Sequence, residues 1–129
     1  MTRSVEILRP WEAATVAPEA VATLQQSLGT GPSRDVIERA AFEVTDGLCA
    51  LDAALTAGQM GEVSRQASRL AAMADNIGMV KFASVARDLG TALEAGDFNA
   101  IAAVSRRLHR LGEASIFTVV DMAVAPVSR

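Results

Sequence analysis

Few residues in this 129-residue chain carry obvious chemistry, and those few stand apart from one another. His109 is the only histidine and Cys49 the only cysteine. A lone cysteine excludes an internal disulfide and a cysteine-based zinc site. A lone histidine with no carboxylate pair at ligand spacing gives no metal centre. Glu38 and Glu43 lack a histidine three residues on, so they do not form the di-iron motif of helical bundles. There is no phosphate-cradling or dinucleotide-binding glycine pattern, and no serine sits in a G-x-S-x-G turn. No cofactor is expected. Arg106, Arg107 and Arg110 form a short basic strip, which reads first as a solvated helix face. Cys49 falls inside a helical pattern and is expected to be buried as a small hydrophobe.

The elements that position these residues are read from periodicity. Half the residues are apolar, only 4% are aromatic, and tyrosine is absent. Such a composition suits close-packed helices rather than a β-sandwich. The formal charge of −3 gives no overall pull toward nucleic acid or anionic lipid. No apolar run is long enough to span a bilayer, and nothing resembles a signal peptide, so a cytoplasmic location is expected.

Residues 1–32 read as an N-terminal segment. Val5, Ile7 and Leu8 suggest a short packed stretch, and Pro18–Leu28 a first helix with proline in its first turn. Gly29-Thr30-Gly31-Pro32 reads as a break. Ser33 is then the expected N-cap of a second helix, whose stripe Ile37, Ala41, Val44, Leu48, Leu51 and Leu55 steps by fours and threes. Ala57-Gly58 ends it. A third helix is predicted over Met60–Ile77 and stopped by Gly78, and a fourth over Val80–Ala95. Gly96 stops the fourth and Asp97 caps a fifth, predicted over Phe98–Ser115. Residues 116–129 are left as a tail: Ile116–Val120 either extends the last helix or packs separately, and Ala125–Arg129 is expected to fray. Short connections force an up-down antiparallel four-helix bundle over about residues 33–115, with the short N-terminal helix laid against it, all in one domain.

Residues Ala67-Ser68-Arg69-Leu70-Ala71-Ala72-Met73-Ala74-Asp75-Asn76-Ile77-Gly78 resemble the signature of histidine phosphotransfer (HPt) domains, roughly A-H-x-L-K-G-S-A-x-N-I-G. The matches are Ala67, Leu70, Ala74, Asn76, Ile77 and Gly78. Ala86, Leu89, Leu93-Glu94-Ala95 and Gly96-Asp97 match the family's usual continuation, and the resemblance covers about Ser33 to Ser115. It implies an all-α bundle and a place in two-component phosphorelays. It also implies what is missing. Ser68 stands where the phosphoaccepting histidine belongs, Ala71 where the lysine belongs, and Ala72 where the glycine belongs.

A serine phosphate ester has too low a transfer potential to pass its phosphoryl group back to an aspartate. Serine also needs a positioned base to become a nucleophile. The expected function is therefore non-catalytic: an HPt-like module that docks a response-regulator receiver or a histidine kinase without carrying phosphate. By helical spacing the docking face around Ser68 holds Ser64, Arg65, Arg69, Ala71, Ala72 and Asp75, with the arginines suited to an acidic receiver pocket. Two alternatives stand beside it. One is active phosphotransfer through His109, whose surroundings Leu108-His109-Arg110-Leu111-Gly112 echo the signature with one residue missing. Its plainer reading is a part-exposed histidine near a helix C-terminus. The other is an oligomerisation or scaffold bundle joined through Ile116–Val120. Expected partners exclude nucleic acid and membrane, and the chain is expected to be a monomer or a weak homodimer.

Overall fold

The computed structural model describes residues 16–124, which form five α-helices; no strand occurs among the described residues. They are α1 (Pro18–Leu28), α2 (Thr30–Thr56), α3 (Met60–Asn76), α4 (Val80–Ala95) and α5 (Phe98–Val124). The stretch expected at Val5, Ile7 and Leu8 and the expected frayed end at Ala125–Arg129 lie outside the described residues.

α2 to α5 form the antiparallel bundle, each packed on its neighbours in the cyclic order α2, α3, α4, α5. α1 lies against α2 and α5. The core is a set of large apolar side chains with almost no exposure: Ile37, Leu51, Leu70, Ile77, Met79, Phe82, Leu89, Leu108 and Leu111. The steps of three and four that predicted the helices also put these residues on the inner stripes.

Two boundaries differ from the sequence reading. α2 begins at Thr30, so Ser33 is not its N-cap; it lies in the first turn, fully buried, with its hydroxyl donating to the Thr30 carbonyl at 3.0 Å. Gly29 alone, at φ +90°, turns the chain. Pro32 is tolerated inside the helix because a first-turn N–H has no intrahelical acceptor to lose. At the other end, α5 does not stop at Ser115 but runs on to Val124. The reason is a continuous inner stripe: Leu108, Leu111, Ser115, Val119 and Ala123 are all buried. Ile116–Val120 is therefore helix, with Val119 in the core.

The ends are closed as the sequence suggested. The Asp97 carboxylate accepts from the Ala100 backbone N–H at 3.1 Å, a side-chain N-cap for α5. The turn after α3 closes through Met79 N–H to the Ala74 carbonyl at 2.9 Å, with Gly78 at φ +80°. Gly78 has a second role. Its carbonyl accepts from Ala17 N–H at 2.7 Å, and a Cβ there would stand 2.9 Å from both the Ala17 carbonyl oxygen and the Ala20 Cβ. This glycine is where α1 meets the bundle. Gly112 acts similarly inside the core, where a Cβ would lie 2.7 Å from Leu48 Cδ1 and 3.1 Å from Phe82 Cε1. Its absence lets α5 approach α2 closely.

Candidate functional site

α3 has one buried stripe and one open face. Val63, Ala67, Leu70 and Ala74 face the core. Ser64, Arg65, Ser68, Arg69, Ala72 and Asp75 are all exposed. Ala71 does not share that face: it is only 5% exposed. Spacing from Ser68 alone put it outside, but it also follows Ala67 by four residues, and this places it at the edge of the buried stripe.

The open face borders α4. Asp75 is joined to Arg87 of α4 by an ion pair and hydrogen bond between two side chains about half exposed. Asp75 follows Ser68 by two turns, so the same strip of α3 runs beside α4 along its length. Arg65 pairs with Glu62 at 3.3 Å, and Glu62 also accepts from Gln66 Nε2 at 2.9 Å. The charges of Arg65 and Asp75 are thus each matched by a neighbour. Arg69 makes no ion pair among the described residues and supplies the uncompensated charge of the face. Gly90 on α4 adds open space, with nothing within 4 Å of the position a Cβ would take.

The Ser68 hydroxyl has no hydrogen-bond partner among the described residues. Chemically it is an ordinary solvated alcohol. Among the described residues the face is small-sided, weakly charged and uncovered.

Sequence reasoning missed Arg87. It lies twelve residues beyond Asp75 on another helix, and only the antiparallel α3–α4 packing brings the two together. Cys49 was expected in the core and is instead exposed. It follows Leu48 by one residue, about 100° round α2 from the inner stripe.

His109 lies far from Ser68 in sequence, in the middle of α5 rather than near its C-terminus, because α5 continues to Val124. Its side chain is half-buried, and its Nε2 is buried without a hydrogen-bond partner. Arg106 and Arg110 are exposed, whereas Arg107 is half-buried. Met79, beside the turn between α3 and α4, is fully buried. Among the described residues no helix is long and apolar enough to cross a membrane.

No protein-family model matches the sequence, and no curated protein matches it. Among solved structures, the chain is similar to the crystal structure of histidine-containing phosphotransfer protein B (HptB) from Pseudomonas aeruginosa. The superposition has a TM-score of 0.78 at 18% sequence identity and covers 87% of this chain and 96% of that one. At that identity the likeness is one of architecture: the chain has the helical-bundle fold of a histidine-containing phosphotransfer protein.

Proposed function

We propose that this protein is a non-catalytic, HPt-like signalling module of the cytoplasm, which docks a response-regulator receiver or a histidine kinase through the α3 face around Ser68. The observation that carries this reading is the open strip at Ser64, Ser68, Ala72 and Asp75 beside α4, on a bundle with a phosphotransfer fold. Position 68 is accessible to a partner, yet a serine there has no ring nitrogen, the lysine position is Ala71, and no base is hydrogen-bonded to the hydroxyl among the described residues. Docking without transfer makes the protein an adaptor or a sequestering competitor, not an enzyme. Arg69 would favour encounter with the acidic pocket of a receiver.

The alternative through His109 has less support. Its Nε2 is buried beneath neighbouring atoms, whereas direct phosphoryl transfer needs the accepting nitrogen to reach a partner's aspartate.

Binding assays with a panel of phosphorylated and unphosphorylated receivers and kinase domains test the proposal. At least one partner should bind, and Ser68→Arg should weaken that binding while leaving the helical content unchanged. Binding to no member, or binding indifferent to Ser68→Arg, refutes docking at this face. Acid-labile label acquired from a phosphorylated receiver, and lost in His109→Gln, would establish the transfer reading in its place.

A further inference from the structure

The chain has four phenylalanines. Phe82 is in the core, but Phe42, Phe98 and Phe117 are 72%, 72% and 76% exposed. All three lie on the side of the bundle formed by α2 and α5, opposite the α3–α4 strip that carries Ser68. Gly112 packs on Leu48 and so fixes how these two antiparallel helices meet. Gly47, against Leu70, marks the side of α2 that faces α3. Phe42 lies about 120° round α2 from Leu48, in the opposite sense to Gly47. On α5, Arg106 borders a cavity shared with Thr56 of α2. Phe117 lies on that same flank, about 140° round from Gly112. Phe98 lines the same cavity at the lower end. Exposed aromatics gathered on one face of a small domain mark a surface that is covered in use.

The charges of this face identify what covers it. The outer side of α2 presents Glu38, Arg39, Asp46 and Asp52, and that of α5 presents Arg106, Arg110, Glu113 and Asp121. None of these has an ion-pair partner among the described residues. The face is therefore complementary to itself. The geometry points to a homodimer whose two-fold axis runs parallel to the bundle and lays α2 of one protomer on α5 of the other.

Measured from the Leu48–Gly112 contact, Phe42 and Phe117 rise about 9 Å and 7.5 Å in the same direction. The rotation therefore sets Phe42 against the partner's Phe117. In the other direction Asp52 falls about 6 Å from the contact, between Arg110 at about 3 Å and Arg106 at about 9 Å. Higher up, Arg39 and the partner's Asp121, both at about 13.5 Å, form a further opposite pair, and the like-charge approaches are Asp46 to the partner's Glu113 and Glu38, at about 15 Å, to the partner's Asp121. Both Ser68 faces stay outward, so the dimer is independent of whether the docking proposal holds.

Sedimentation equilibrium on the full chain up to millimolar protein tests this. A concentration-dependent dimer is expected. Phe42→Glu and Phe117→Glu should each weaken it at least about tenfold. Asp52→Arg and Arg106→Asp should each weaken it several-fold, and the double variant should restore it, as expected for a direct charge pair. Glu113→Arg should tighten it by about threefold or more, because it removes the repulsion with Asp46; misfolding cannot produce that result. A wild-type chain monomeric throughout, a dimer unaffected by Phe42→Glu, or a Glu113→Arg variant that does not tighten would each overturn the proposal.

Discussion

Replacing Gly78 by alanine separates two roles that this residue combines. The first is conformational. Gly78 holds φ at +80°, and an L-residue in the left-handed region costs about 1–2 kcal/mol. Part of that is returned, about 0.4–1 kcal/mol, because alanine restricts the unfolded chain. The net backbone term is about 1 kcal/mol. The second role is steric. The new Cβ would sit 2.9 Å from the Ala17 carbonyl oxygen and 2.9 Å from the Ala20 Cβ. Neither atom belongs to a flexible side-chain end, so α1 must shift away from the bundle. Overpacking of this kind costs about 1–3 kcal/mol, and the shift also strains the Ala17–Gly78 hydrogen bond of 2.7 Å.

Gly96 is the internal control. Its φ is +67° and nothing lies within 4 Å of its Cβ position, so Gly96→Ala carries only the conformational term. Urea unfolding followed by far-UV circular dichroism should therefore show a loss of about 2–4 kcal/mol for Gly78→Ala and about 1 kcal/mol for Gly96→Ala. Hydrogen exchange should rise selectively in α1 for Gly78→Ala alone. Equal losses in the two variants, or unchanged protection of α1, would show that α1 is not seated on this turn.

Other perturbations follow from the same structure. Truncation after Ser115 removes the buried Val119 and Ala123, and thermal melts should show severe destabilisation rather than the neutral loss of a tail. Asp97→Ala removes the N-cap of α5 and should cost about 1 kcal/mol in urea unfolding, with Asp97→Asn largely preserving stability. Arg87→Ala breaks the α3–α4 ion pair, but both side chains are about half exposed. Its effect on unfolding free energy should stay within about 0.5 kcal/mol, so any larger change in partner binding by this variant would bear on the proposed docking face.

The helices themselves were written in local pattern. Stripes such as Val63, Ala67, Leu70 and Ala74 bury one face of each helix wherever the helix is placed, and the glycines and Asp97 mark the ends by local backbone chemistry. The antiparallel bundle follows, because short turns leave successive helices no other way to cover those stripes. The identity of the residue at position 68, a serine, is equally a matter of sequence.

What local pattern could not decide was every feature that depends on a neighbour distant in the chain. Ile116–Val120 is helix because α5 finds a surface to bury Val119 and Ala123, not because β-branched residues favour that state. Ala71 and Cys49 each lie at the margin of a stripe, where a shift of one residue, about 100° of rotation, exchanges core for solvent. Which neighbour packs there settles the matter. The Asp75–Arg87 pair, the seat of α1 on Gly78 and the grouping of three exposed phenylalanines on the α2–α5 side arise only when separate helices are set side by side.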